Sequence, residues 1–540
     1  DIFSRMKKIL IGLLIFIVLL GAAALYLNTY LENQLRDIIQ TKLPSSLAIE
    51  YEELDIDSWQ GNASLKNATV RINISDSVPK SEVKNATVNL KGFKHWRYFK
   101  SKDIYFNQVS IEADTLTHYK QSSAEPKKQT NSDSLDNPLT EEKLDRKFKI
   151  KDFDLKAAYI QILKPRSSEV ALHTAHFSLD LKNVTPAESQ RILRPFEYES
   201  VLIKTDSIYY KTNAYDALKI KHLEWNGSSL SLNETQLVTE VSRSKLSELI
   251  SKERDHMNFT IKKVDISNLT YGQNDGKFFF KAPKLTLEAP FLDIYRDKRI
   301  ADDNSTKALY SKMLRELKFD LMIDTIALKN GGITYTERVN NQEQAGQLYF
   351  DNLNATITNV GNTYKKGEKK TKIDLNARFM KSAPFSVDWD FDVQDAQDKF
   401  RFVGTLSNLP AKQLQAFTGP NLGVEMTGSV ARTYFTIYGN NYSSHIDMQM
   451  TYDDFKVSIL NQEKGKKKWL VSTLANIFIS KTSKNDEGGF KEGSGDVNRN
   501  QTKSFFNYLW LNLKDGMLKT VTALDNLKRS RQLPLYAGRS

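Results

Sequence analysis

At 540 residues and 61.8 kDa, the chain is long enough for several domains or for one long repetitive element. It has no cysteine, which excludes disulfides, thiolate metal sites and a cysteine nucleophile. Its 77 Lys+Arg against 65 Asp+Glu give a net charge of +12, suited to an anionic partner. Acids and bases are nevertheless interspersed, with basic clusters only at 365–372, 464–468 and 528–531. No basic stripe carries the interleaved aromatics of a nucleic-acid module, so no nucleic-acid partner is expected.

Residues 9–27, ILIGLLIFIVLLGAAALYL, run without a charge. As a helix rising about 1.5 Å per residue they span about 28 Å, close to the roughly 30 Å hydrocarbon core. Ile9, Leu13, Phe16, Leu20 and Leu27 would face lipid. Arg5, Lys7 and Lys8 precede the run, whereas Glu32 and Asp37 follow it. The positive-inside rule then keeps 1–28 as a cytoplasmic stub and anchor, with the bulk across the membrane. The competing reading is a cleavable leader ending at Ala22–Ala24. The anchor is preferred because an amphipathic pattern continues through 29–46 (Tyr30, Leu31, Leu35, Ile38, Ile39, Leu43). Met6 is the candidate natural start.

From 47 to 465 the pattern is strand after strand at period two. Val70, Ile72 and Ile74 alternate with polar residues, as do Phe177, Leu179 and Leu181, then Phe319, Leu321 and Ile323. The stretch SVDWDFDV (386–393) poses one chemical question. Asp388, Asp390 and Asp392 copy the opening of a calcium loop, but the glycine and glutamate that such a loop needs are replaced by Val393 and Lys399. Val387, Trp389, Phe391 and Val393 alternate with the acids, so the stretch reads as a half-buried strand and no metal is expected. Phe400, Phe402, Met448 and Met450 continue the same alternation. Short helices are expected at 243–256, 304–317 and 410–417, and polar loops at 120–146 and 483–503. A weak repeat relates 148–162, 259–273 and 319–335 at unequal spacing, suggesting a long antiparallel meander.

The last region, 466–540, reads as amphipathic helices with a polar loop. Trp469, Phe505, Phe506 and Trp510 are large apolar groups in otherwise polar segments, and they would cap the sheet or dock elsewhere. Catalytic motifs are absent: there is no G-x-S-x-G, H-E-x-x-H, P-loop or G-x-G-x-x-G. The seven histidines are scattered, with only His173 and His176 close, facing opposite sides of a strand. Neither an enzyme nor a cofactor is expected. About a dozen N-x-[ST] sequons, including Asn62, Asn67, Asn85 and Asn354, fit asparagines at turns ahead of β-branched residues.

The membrane helix, the segment LENQLRDIIQTKLPSSLAIEYEELDID and the cadence WQGNASLKNATVRI together resemble the start of the AsmA-like family of envelope proteins of diderm bacteria. NYLWLNLKDGML near the end resembles a subset of that family. The motifs are loose and carry no catalytic residue. The resemblance implies a single inner-membrane anchor, a β-rich periplasmic body and a long curved, U-shaped groove of the bridge-like type that conducts phospholipid between membranes. Phe319, Leu321, Ile323, Val387, Trp389, Phe391, Val393, Phe400, Phe402, Met448 and Met450 would line it. Periodicity alone leaves open a β-sandwich, and with it an envelope scaffold or an accessory subunit of an export or assembly complex.

Overall fold

Alternating apolar and polar residues dictate strands that bury one face, and most of the chain is strand. The computed structural model describes residue 37 and residues 47–531, except 76–77, 102, 121–147, 165–168, 188–195, 275, 342–343 and 460–488. The anchor residues Ile9, Leu13, Phe16, Leu20 and Leu27, the 29–46 helix apart from Asp37, and Trp469 lie outside the described residues, as does the 120–146 loop apart from Lys120. Among the described residues, no helix is long and apolar enough to cross a membrane.

The chain divides into two units, one up to Thr235 with Gly272–Gly276, the other Gln236–Tyr271 with the residues from Lys277 onward. The first contains β1 (Leu47–Glu50), β2 (Glu53–Asp57), β3 (Asn62–Ser75), β4 (Val78–Lys91), α1 (His95–Ser101), β5 (Ile104–Tyr119), β6 (Phe148–Leu163), β7 (Val170–Pro186), β8 (Phe196–Glu197), β9 (Ser200–Lys211) and β10 (Asp216–Trp225). β11 (Leu230–Thr239) straddles the division. Both β1 and β2 pair with β3, followed by the order β3–β4–β5–β6–β7–β9–β10. One register row crosses this unit as Leu54, Leu65, Val88, Ile111, Leu155, Leu179, Ile203 and Trp225. The first six are buried in the unit's core, and Ile203 and Trp225 are half-buried against it.

The second unit contains α2 (Arg243–Leu249), β12 (His256–Ser267), β13 (Thr270–Asn274, cut by the division), β14 (Lys277–Glu288), β15 (Phe291–Asp297), α3 (Tyr310–Arg315), β16 (Asp320–Arg338), β17 (Gly346–Gly361), β18 (Thr371–Phe379), β19 (Ala383–Phe391) and β20 (Phe400–Pro410). A 3₁₀ turn (Ala411–Leu414), α4 (Gln415–Leu422), β21 (Val424–Gly439), β22 (Ser443–Ile459), β23 (Lys491–Asn498) and α5 (Phe505–Arg531) complete it. β14 and β15 lie end to end between β12 and the long β16, and β16 through β23 follow as an antiparallel meander.

Four expectations need correction. The strands do not form a purely antiparallel sheet: β5–β6, β14–β16 and β15–β16 are parallel. A parallel pair needs a crossover of a dozen or more residues, and the segments between β5 and β6 and between β15 and β16 have that length. The second crossover contains α3, shorter than the helix expected over 304–317. The polar loop expected over 483–503 contains β23, although its sequence KEGSGDVN has little strand propensity. Likewise, the helix expected over 243–256 stops at Leu249, and His256 opens β12.

Asparagine supplies many of the kinks. Asn67, Asn85, Asn183, Asn268, Asn330, Asn352, Asn359 and Asn408 have φ near +50°, the left-handed region that Asn tolerates best after Gly. The β3–β4 register shifts on both sides of Ala68, beside Asn67, and the β16–β17 register shifts beside Asn330. Such bulges bend a strand and increase its twist. Asn354 patches one of them, its Oδ1 accepting from the Asn330 N–H at 3.0 Å.

Candidate functional site

Residues opposed across a strand pair share a face, so the registers of the second unit can be followed across strands. Ile266, Leu285, Ile326, Ile357, Ile373, Trp389, Phe402, Ile437 and Ile446 form one row from β12 to β22. A second runs two residues away: Val264, Leu287, Leu328, Ala355, Leu375, Val387, Gly404, Phe435 and Met448. No charged residue interrupts either row.

The two ends of these rows differ. At the β19–β22 end, Val387, Phe391, Val393, Phe400, Phe402, Phe435, Ile437, Ile446 and Met448 form one buried cluster with Phe505, Tyr508 and Leu509 of α5. Phe505 stacks on Trp389 with ring centres 4.7 Å apart and planes 11° apart, and meets the edge of Phe400 at 5.3 Å. At the β12–β17 end, Ile266, Leu285, Leu287, Ile326 and Ile357 are only half-buried and belong to no buried cluster among the described residues.

Local sequence explains the cap. The Ser504 side chain accepts from the Asn507 N–H at 3.3 Å and its carbonyl accepts from Tyr508, starting the helix. Phe505, Tyr508, Leu509, Asn512, Gly516 and Thr520 then fall on one helical stripe. Asn512 is fully buried: its Oδ1 accepts from Ser444 Oγ at 2.8 Å and its Nδ2 donates to the Tyr508 carbonyl at 2.9 Å. Gly493 and Gly495, alternate residues of β23, permit the close approach. A Cβ on Gly493 would sit 2.3 Å from the Thr520 backbone nitrogen.

The opposite face of β19 gives each of the three aspartates its partners. Arg401 Nε donates to Asp390 at 2.9 Å and Arg401 Nη2 donates to Asp388, while Lys370 Nζ donates to Asp390 at 2.8 Å. Asp392, just past the strand, accepts from the backbone of Gly367 and Gln394. Each carboxylate is thus matched to cations or amide donors, and among the described residues no three His, Asp or Glu converge to hold a metal ion. His173 is stacked between Tyr159 and Tyr209 at 5.5 and 5.2 Å, and burial lowers its pKa. His176 is exposed at a bulge with φ 50°, 3.4 Å from Asp206.

The residues singled out from sequence therefore separate into groups. Val387, Trp389, Phe391, Val393, Phe400, Phe402 and Met448 come together, but beneath α5. Met450 belongs to a neighbouring cluster with Met426, Val430 and Tyr452. Phe319 precedes β16 and meets the edge of Phe280 at 5.6 Å. Leu321 and Ile323 oppose Phe280 and Ala282, at odd separations from Ile326 and so out of phase with its row. Among the C-terminal aromatics, Phe505 is core, Phe506 is exposed, and Trp510 is partly exposed with its edge toward Phe417 of α4.

Sequence reasoning missed the open end of the rows. Ile266, Leu285, Ile326 and Ile357 each sit in an ordinary period-two strand, and only the pairing order shows that they are neighbours. Compared with family models and with curated proteins, the chain matches none.

Proposed function

We propose that this chain is a non-enzymatic lipid-handling protein of a bacterial envelope, one that holds phospholipid acyl chains against the open end of the apolar rows. One observation carries the reading: Ile266, Leu285, Ile326 and Ile357 stand in register across β12, β14, β16 and β17 and are only half-buried. Apolar surface left open along several strands calls for a partner. Continued to Ile373 on β18, the row crosses four strand spacings of about 4.8 Å, about 19 Å in all, the scale of one extended acyl chain. Each methylene withdrawn from water contributes about 0.8 kcal/mol, so one tail provides on the order of 10 kcal/mol of gross driving force. The architecture assigned to the AsmA-like family supports the rest of the proposal: an inner-membrane anchor at 9–27, a periplasmic body and transfer of phospholipid between membranes.

Phospholipid extracted from the purified full chain and identified by mass spectrometry tests this. The wild type should carry phospholipid, and Ile326→Asp with Ile357→Asp should remove it while the far-ultraviolet circular dichroism stays that of a β protein. A wild-type chain purified free of lipid overturns the reading. The covered end of the rows favours a second reading, in which this unit is a scaffold or an accessory subunit of an envelope complex. Phe506 and Trp510 would then be its contact residues, and a partner lost from pull-downs on changing both would favour that reading.

A further inference from the structure

The first unit carries its most exposed aromatics at one place. Trp59 sits in the β2–β3 turn with 94% of its surface exposed, and Trp96 and Phe99 of α1 are 80% and 61% exposed. The two segments are joined: the Phe93 N–H donates to the Gly61 carbonyl at 2.9 Å, and the Gly92 N–H to Asn62 Oδ1 at 3.0 Å. Phe93 and Tyr98 turn inward, with rings 6.0 Å apart, which leaves Trp96 and Phe99 on the outer side of the helix.

Lys91, Lys94, Arg97 and Lys100 belong to the same short segment as Trp96 and Phe99 and are all exposed. Arg97 lies over the Tyr105 ring at 4.8 Å. Two acids beside these segments are engaged locally: Asp57 accepts from the Gln60 N–H at 3.0 Å, and Asp103 from Ser101 Oγ at 2.7 Å. Large rings projecting from a turn and the adjoining short helix, together with four exposed cations, match the chemistry of a bilayer interface. There, indole rings settle at headgroup depth and cations meet anionic phosphates.

We infer that this end of the first unit docks onto an anionic phospholipid surface, inserting Trp59, Trp96 and Phe99 at the headgroup level while Lys91, Lys94, Arg97 and Lys100 bind phosphate. The inference shares with the proposed function only the membrane setting, and it requires no lipid on the apolar rows.

The absence of native cysteine makes the test clean. The full chain with Gln60→Cys is labelled with the environment-sensitive fluorophore NBD and mixed with vesicles of phosphatidylcholine plus phosphatidylglycerol, or of phosphatidylcholine alone. With the anionic vesicles the emission should rise, shift to the blue, resist aqueous iodide and be quenched by brominated lipid. Trp59→Ser with Trp96→Ser should abolish that shielding while lipid co-purification is unchanged. Each basic residue at an anionic surface contributes about 1 kcal/mol. Lys94→Gln with Arg97→Gln should therefore raise the lipid concentration for half-maximal shielding about thirtyfold, taking about 1.4 kcal/mol per decade. A label at Ser228→Cys, on the exposed β10–β11 turn, should stay in water. An iodide-accessible label at Gln60→Cys on vesicles that bind the chain overturns the inference, as does shielding that is already complete without vesicles.

Discussion

Replacing Phe505 by alanine should release α5 from the sheet. The ring is 5% exposed and contacts Trp389, Phe400 and Tyr310, the last at 5.8 Å. Removing a buried Phe side chain and leaving its cavity costs about 3–5 kcal/mol, with the loss of the stacked Trp389 pair within that range. If α5 opens as a local unit, amide hydrogen exchange over residues 508–520 should quicken about 10²–10⁴-fold, at about 1.4 kcal/mol per decade. The neighbouring Phe506, 64% exposed, provides the control: Phe506→Ala should change exchange by less than about threefold, as expected of a surface position. Trp389 emission should move to the red in Phe505→Ala as water reaches its ring. Exchange in Phe505→Ala within threefold of wild type would refute the reasoning, since the cap would then be held by something other than this ring.

Other outcomes follow from single contacts. Asn67→Val should destabilise the first unit by about 1–2 kcal/mol, because a β-branched residue is forced into φ +50°, whereas Asn67→Gly should be nearly neutral in urea unfolding. Arg315 donates to Asp398 at 2.9 Å and to the Val393 carbonyl at 2.6 Å, so Arg315→Met strands a carboxylate that is 4% exposed. Its expected cost is about 3 kcal/mol, part of which Asp398→Asn should restore. Hydrogen bonds from Arg299, with further help from Ser247, hold the Asp297 carboxyl at about 2, below its ordinary 3.8. A depressed carboxyl stabilises the fold fully above its ordinary value, and that contribution disappears as pH falls through about 2. The urea midpoint should therefore drop between pH 4 and pH 2 by the equivalent of on the order of 1–2 kcal/mol, and Asp297→Asn should flatten that slope.

How much of this was legible beforehand depended on distance along the chain. Period two marked β19 and β20 because Val387, Trp389 and Phe391 alternate with acids, and that local pattern persists in the structure. It could not show that β6 and β16 begin parallel pairs, since pairing is decided by crossovers that carry no periodic signal. β23 was hidden for a different reason. Its glycines lower strand propensity, and their value lies in the helix that rests on them. The sequons at Asn67, Asn85, Asn183 and Asn268 carried readable geometry, because each places Asn where the backbone turns left-handed. The separation of Phe505 from Phe506 was written in the helical stripe that also contains Asn512, Gly516 and Thr520. Only their contacts reveal which side of the helix meets the sheet.

The pieces that close the apolar rows, β23 and α5, follow in the chain every strand they cover. During synthesis the oily face of β19–β22 is therefore complete well before its lid exists. A nascent or prematurely terminated product would present Phe402, Phe435 and Ile437 to whatever is nearby, making a holdase or a lipid surface the natural guardian of that interval.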